Sequence, residues 1–125
     1  MTENTSKQII SNNRKASFQY FLIEKFESGI QLYGSEVKSI RESKVNIKEA
    51  YVKFKKNELY LTGMHIGEYS HSGYSTHEPV RDRKLLLHKI EINKIIKNVS
   101  IKGTTVIPIS LYFKNGLVKV EIAIA

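Results

Sequence analysis

Cysteine is absent from the sequence, which excludes disulfide bonds, thiolate metal sites and cysteine nucleophiles. Aspartate is nearly absent: Asp82 is the one example, so catalysis by a pair of aspartates is excluded as well. The longest apolar runs are only a few residues long, such as Leu85-Leu86-Leu87, and the first residues contain no hydrophobic signal segment. These absences predict a soluble protein of the cytoplasm that does not enter a membrane.

The sequence also lacks the common catalytic and cofactor motifs. It has no glycine-framed nucleophile, no phosphate-binding loop and no dinucleotide-binding fingerprint. His65, His71 and His77 recur every six residues, with Glu68 and Glu78 nearby, and imidazole and carboxylate groups suit zinc. Because this spacing matches no metal motif, we favour a polar loop over a metal-dependent hydrolase. The residues alone therefore point to no catalytic, metal or cofactor site, and a metal-dependent hydrolase stays the less favoured alternative.

Positive charge is the most prominent feature that is present. Lysine and arginine number 20 against 12 acidic residues, which gives the 125-residue chain a net charge of +8. Such a charge on one small domain concentrates polyanions, so nucleic acid is the first candidate partner and an anionic membrane surface the second. A surface that lysines merely keep soluble is the alternative that charge alone leaves open.

The hydrophobic pattern predicts a mainly β protein. Residues 1–12 are polar and aperiodic, which predicts a flexible N-terminal arm before a single domain over residues 13–125. Recurring apolar residues predict a short helix from Gly34 and a second helix around 92–99 that stops at Gly103, with a long loop over 65–82. Alternation predicts six strands in three hairpins, with Glu27-Ser28-Gly29 and Asn115-Gly116 as turns and Pro108 at an edge or bulge. The predicted strands are 18–26, 30–33, 50–56, 58–64, 106–113 and 117–124. Short antiparallel strands with helices between pairs predict a small closed or half-closed barrel.

Several basic residues lie near the predicted ends of strands. Lys38 and Arg41 are three residues apart, so they share one face of the predicted helix. Each such residue alone is more often a solvated charge, but together they are typical of a surface that contacts phosphates. Tyrosines could stack on bases, although ordinary strand composition accounts for most of them. The basic candidates are Arg14, Lys15, Lys38, Arg41, Lys84 and Lys119.

Two glutamates are unusual candidates for a polyanion-binding surface. Glu27 and Glu36 cannot bind phosphate, but a carboxylate can accept hydrogen bonds from base amino groups or ribose hydroxyls. A turn carboxylate at Glu27, and a first-turn acid favoured by the helix dipole at Glu36, are the competing interpretations. The residues alone leave these alternatives open.

Five blocks, in this order and at these spacings, resemble the family of small protein B, the bacterial SsrA-binding proteins. The resemblance covers about residues 13–125. The blocks are Asn13-Arg14-Lys15-Ala16, Gly34-Ser35-Glu36-Val37-Lys38-Ser39-Ile40-Arg41, Arg83-Lys84-Leu85-Leu86-Leu87-His88-Lys89, Leu111-Tyr112-Phe113-Lys114-Asn115-Gly116 and Lys119-Val120-Glu121-Ile122.

The resemblance implies a six-stranded antiparallel barrel of the oligonucleotide-binding (OB) type with two to three flanking short helices. It implies binding to the tRNA-like domain of transfer-messenger RNA (SsrA RNA), without catalysis. It also implies delivery of that RNA, charged with alanine and carried by elongation factor Tu, to stalled ribosomes in trans-translation. We expect a monomer. A generic OB-type module for single-stranded nucleic acid is the alternative function.

By motif match, the resemblance places RNA contacts at Asn13, Glu27, Leu86 and Lys119. The family usually has alanine at the position of Ser28, and many members have a basic or histidine pair where this sequence has Ser17 and Phe18. Family members continue beyond the position of Ala125 with a basic tail that enters the decoding centre of the ribosome. We therefore expect the domain alone to bind RNA, and engagement of the ribosome to need that tail.

Overall fold

The computed structural model describes residues 7–13, 22–67 and 78–125, and within these ranges the chain forms nine strands and two helices. The helices are α1 (Gly34–Arg41) and α2 (Lys89–Lys102). The strands are β1 (Lys7–Asn12), β2 (Glu24–Ile30), β3 (Val45–Asn46), β4 (Tyr51–Lys55), β5 (Glu58–Thr62), β6 (His65–Ile66), β7 (Arg83–Leu86), β8 (Val106–Lys114) and β9 (Leu117–Ile124).

Seven strands form one antiparallel sheet in the order β1-β8-β9-β2-β7-β5-β4, and β3 pairs with β6 in a second, two-stranded sheet. The large sheet curls, because Cα atoms of β4 approach those of β8 to within 8 Å. It is open, with β1 and β4 as its edge strands. The predicted mainly β class with two helices is confirmed, whereas the sheet has seven strands instead of the predicted six.

Glu27, Ser28 and Gly29 do not form the predicted turn. They lie within β2, where Phe26, Ser28 and Ile30 are buried and Glu27 is exposed. The turn was predicted because Ser28 is polar and precedes a glycine. In the structure the Ser28 hydroxyl donates a 2.7 Å hydrogen bond to the carbonyl oxygen of Gly29, so this polar side chain can be buried within a strand. A buried serine with a partner costs little, so the alternation of a half-buried strand continues through it.

The N-terminal arm is also different from the prediction where the structure describes it. Residues 7–12 form β1, which pairs antiparallel with β8 along one edge of the sheet. The pairing register shifts between Ile9 and Ser11, and most β1 side chains are exposed. An exposed edge strand needs little apolar alternation, so this one has no clear pattern in the sequence. The predicted strand start at residue 18 lies outside the described residues.

The two predicted hairpins at β4–β5 and β8–β9 are confirmed. Their turns place Lys56 and Asn57 at φ 51° and 62°, and Asn115 and Gly116 at φ 54° and 76°. The β8–β9 register shifts between Pro108 and Ser110, which is the predicted bulge. Helix α2 ends before Gly103 at φ 65°, also as predicted.

The core lies between the inner face of the curled sheet and the two helices. The four alternating residues of β9 predicted to face inward are buried, and Ile40 of α1 and Ile95 of α2 are fully buried as well. In the part of the chain that the structure describes, neither helix is long and apolar enough to span a membrane. The inward β9 residues are Val118, Val120, Ile122 and Ile124.

Candidate nucleic-acid interface

Strand register aligns four residues across the outer face of the sheet. Tyr112 of β8 is opposite Lys119 of β9, Lys119 is opposite Gly29 of β2, and Gly29 is opposite Leu86 of β7. Leu86 is 49% exposed, although the leucine before it is fully buried. Gly29, Leu86 and Lys119, which are far apart in the sequence, therefore form one continuous row on the surface, and the buried Tyr112 lies at its end.

This row forms one side of an open groove of about 1110 Å³. The outer face of β2, β7 and β9 lies on one side, and the β4–β5 turn and the start of α2 lie on the other. Glu27, Lys84, Leu86 and Lys119, four of the predicted RNA contacts, all line it. The structure thus brings together residues that the sequence placed in three separate segments.

Gly29 leaves the space in which Leu86 lies. A Cβ atom at Gly29 would be 3.3 Å from the Cβ of Leu86, which is tighter than an ordinary van der Waals contact. A larger residue at this position would therefore press on the leucine from the neighbouring strand. Because Gly29 has no side chain, there is room for Leu86 beside it in the groove.

The Glu27 carboxylate is ionised and directed by its neighbours. The hydroxyl of Tyr112 donates a 2.5 Å hydrogen bond to Glu27 Oε2, and Lys114 Nζ lies 3.3 Å from both oxygens. The hydrogen bond from Tyr112 is the main cause that lowers the pKa of Glu27; desolvation opposes it, and Lys114 and Lys119 add to the lowering. Burial and the same hydrogen bond raise the pKa of Tyr112. Glu27 therefore presents a charged hydrogen-bond acceptor to the groove.

Glu36 is not on this surface. Its side chain is fully buried beneath the start of α1, and the predicted RNA contact at Glu36 is therefore wrong. Arg81 binds both of its oxygens, with Nε and Nη2 at 3.0 and 2.7 Å, and Arg83 Nε donates to Oε2 at 2.8 Å. The backbone N–H of Tyr33 donates to Oε1 at 2.8 Å. Burial raises the pKa of Glu36, but these hydrogen bonds outweigh it and the pKa is lowered overall.

Arg83 is equally buried. Besides Glu36, its guanidinium donates to the carbonyl oxygens of Met64 at 2.9 Å and Pro79 at 3.2 Å. Arg81 lies across the ring of Tyr33, with Cζ 4.1 Å from the ring centroid. This cluster of Tyr33, Glu36, Arg81 and Arg83, the buried arginine cluster, joins α1 to the chain that leads into β7.

The other predicted contacts that the structure describes do not line the groove. Lys38 and Arg41 are exposed on α1, and Asn13 follows β1, where its backbone N–H donates to Ile109 and its side chain to Pro108. Arg14 and Lys15 lie outside the described residues. The groove also includes Lys56, Asn57, Lys89 and Asn93, which sequence reasoning missed because the β4–β5 turn and the start of α2 give no signal of their proximity.

A metal site finds no support in the described part of the chain. There, no three histidine, aspartate or glutamate side chains form a group that could bind a metal ion. His71, His77 and Glu68, from the pattern discussed above, lie outside the described residues.

Comparison with known proteins points to one family. The family model described as "SmpB protein" matches residues 10–125. The SsrA-binding protein of Wolbachia pipientis subsp. Culex pipiens is 53% identical over 118 residues, which are 94% of this chain and 79% of that protein. The SsrA-binding protein of Acetivibrio thermocellus is 48% identical over 95% of this chain and 77% of its own length. A chain solved under the description "tmRNA-SmpB: a journey to the center of the bacterial ribosome" is similar with a TM-score of 0.72 and 39% identity, over 90% of this chain and 80% of the other.

Proposed function

This chain belongs to the SmpB family, and from that premise we propose that it binds SsrA RNA, the transfer-messenger RNA, and acts with it at the ribosome in trans-translation. The observation that carries the proposal is the groove, which gathers Glu27, Lys84, Leu86 and Lys119 on one face of the sheet. These side chains provide charge, an apolar contact and a hydrogen-bond acceptor within one surface.

Each groove residue suits a different part of a folded RNA. Lys84 and Lys119 attract the phosphate backbone, and such contacts supply affinity without reading sequence. Leu86 packs against an unstacked base or a ribose, because a leucine has no polar group to offer. Glu27 accepts a hydrogen bond from a base amino group or a 2′-hydroxyl. We propose that the protein is an RNA-binding partner rather than an enzyme.

The family resemblance extends the proposal to the partners. The RNA contact is the tRNA-like domain of transfer-messenger RNA, and the complex includes elongation factor Tu and reaches stalled ribosomes. We propose that the protein works in the cytoplasm as a monomer. Asn13, Lys38 and Arg41 remain predicted contacts outside the groove, and Arg14 and Lys15 remain predicted contacts as well.

We also propose that the curled sheet is a half-closed variant of the OB barrel. The approach of β4 to β8 supports this, since these strands lie at nearly opposite ends of the sheet order. OB barrels commonly bind oligonucleotides on the outer face of their strands and on adjoining loops. The groove, which joins a strand face to a hairpin turn, has the same arrangement.

A competition binding assay tests the function. Labelled tRNA-like domain of transfer-messenger RNA is titrated with the chain in excess unrelated structured RNA. We expect binding to persist and to weaken in Glu27→Ala and Leu86→Ala. Binding that the competitor abolishes, with no effect of either substitution, would instead support the generic nucleic-acid module.

Lys119 should make a measurable contribution to the salt dependence of binding. For Lys119→Ala, we expect the slope of log affinity against log salt to become shallower by about 0.7–1, because one phosphate contact is lost. The measurement is a titration of the same RNA at several salt concentrations. Lys48→Ala is the control, because Lys48 is exposed and lies outside the groove. Equal slopes for the two variants would remove Lys119 from the interface.

A further inference from the structure

A buried tyrosine contacts the carboxylate that faces the groove. Tyr112 is 1% exposed, yet its hydroxyl lies 2.5 Å from Oε2 of the exposed Glu27. We infer that Tyr112 is a positioning residue that holds the Glu27 carboxylate in the orientation that reads the RNA. The inference rests on the proposed function, and it adds Tyr112, which the sequence analysis did not include among the predicted RNA contacts.

The surroundings of Glu27 explain why it needs such a partner. Glu27 of β2 lies directly opposite Glu121 of β9, and like charges opposite each other on neighbouring strands repel. Tyr112 and Lys114 lie on β8, beyond β9, and both bind the Glu27 carboxylate. They therefore draw the Glu27 side chain across the face of β9 and fix it there, despite the neighbouring charge of Glu121.

Tyr112 is itself fixed from two sides. It is paired with Ile9 of β1 and with Lys119 of β9 in the strand register. Lys7 Nζ lies 4.7 Å from the centroid of the Tyr112 ring, within the range of a cation–π interaction. A nearly inaccessible ring has little freedom to move, so its hydroxyl is a fixed point to which the exposed carboxylate is tied.

The hydrogen-bond inventory then defines the RNA group that Glu27 recognises. Oε2 accepts hydrogen bonds from Tyr112 and Lys114. Among the contacts of the described residues, Oε1 accepts a hydrogen bond from Lys114 alone. An ionised carboxylate has about four acceptor positions, so Oε1 retains capacity for one more donor. A phosphate oxygen is itself an acceptor and cannot fill it. The group that Glu27 takes is a hydrogen-bond donor, which in RNA means an exocyclic amino group, a ring imino N–H or a 2′-hydroxyl.

The test is a double-mutant cycle with Tyr112→Phe and Glu27→Ala. Binding of the tRNA-like domain of transfer-messenger RNA is measured for the wild type, both single variants and the double variant. We expect Tyr112→Phe to weaken binding by about tenfold, because it removes a charge-assisted hydrogen bond to Glu27. In the Glu27→Ala background, Tyr112→Phe should have no further effect, because the group that it positions is gone.

A second readout does not involve RNA. Carboxyl-carbon NMR titration of the free protein should show a higher pKa for Glu27 in Tyr112→Phe than in the wild type, since the main cause of the lowered pKa is removed. Tyr51→Phe is the matched control, because Tyr51 lies on the far edge strand β4 and is 53% exposed. It should change neither the pKa of Glu27 nor the affinity.

The outcomes separate the inference from the proposed function. If Glu27→Ala leaves RNA binding unchanged, the placement of the RNA at this groove fails, whatever the pKa of Glu27 does. If Glu27→Ala weakens binding but Tyr112→Phe alters neither the pKa nor the affinity, Tyr112 does not position Glu27. Equal losses from Tyr112→Phe with and without Glu27 would also overturn the inference, because Tyr112 would then act independently.

Discussion

Replacing Glu36 with alanine is expected to lower the free energy of unfolding by about 3–5 kcal/mol, because the change leaves a buried guanidinium without its counter-charge. Arg83 is fully buried, and its 2.8 Å hydrogen bond to Glu36 is the one that neutralises it. Denaturant unfolding, followed by circular dichroism, gives the free energy directly.

The matched control for Glu36 is Glu24→Gln. Glu24 makes a 2.8 Å ion pair with Lys94, but both side chains are exposed, so we expect a loss of less than about 1 kcal/mol. If Glu36→Ala does not fold, Glu36→Gln provides the same comparison, because it keeps the shape and removes the charge. A loss for Glu36→Gln no larger than that for Glu24→Gln would contradict the prediction.

The buried arginine cluster also predicts that the free energy of unfolding depends on pH in the acid range. The folded pKa of Glu36 is lowered below the ordinary value of 4.5, so its stabilising contribution is present above that value and is lost as the pH falls through the folded pKa. The wild type should therefore lose stability at acid pH more steeply than Glu36→Gln does.

Leu86→Asp is expected to weaken binding of the tRNA-like domain by about 10- to 100-fold, because it removes an apolar contact with a base and adds a negative charge beside phosphates. Stability should change little, since Leu86 is 49% exposed. The measurement is equilibrium binding at constant salt, with unfolding measured in parallel.

Ile23→Asp controls for the added charge. Ile23 is an exposed aliphatic residue of similar size, 53% exposed, at the other end of the β2 region and outside the groove. We expect it to reduce affinity only slightly, through the change in net charge. Similar losses for both variants would mean that the net charge of the protein, rather than the groove, determines RNA binding.

Local patterns predicted the parts of the fold that depend on neighbours in sequence. The alternation of β9, the Asn115-Gly116 turn and the Gly103 helix end are confirmed, because each depends on the properties of a few adjacent residues. β1 and Ser28 were missed because neither follows the pattern of apolar side chains that marks a half-buried strand. An edge position relaxes the pattern of β1, and a bond to its neighbouring carbonyl allows Ser28 to be buried.

The residues of the candidate site also fall into those that the sequence could indicate and those that depend on distant contacts. The resemblance indicated Glu27, Leu86 and Lys119, and the strand register brings them to one groove. No local pattern distinguishes Glu36 from Glu27, because the burial of Glu36 depends on Arg83, 47 residues later. The role of Tyr112 depends likewise on a contact that spans 85 residues.

Among the described residues the sheet ends at two edge strands, β1 and β4, and the backbone groups at such edges can pair with an added strand. The exposed edge strand β4 carries Lys53 and Lys55, and the opposite edge strand begins with Lys7. Lys53 has Asp82 as an ion-pair partner at 3.5 Å, so two copies that met along β4 would bring together chiefly the ammonium groups of Lys55. We therefore expect the lysines of the edge strands, besides attracting RNA, to disfavour the addition of a strand from a second copy.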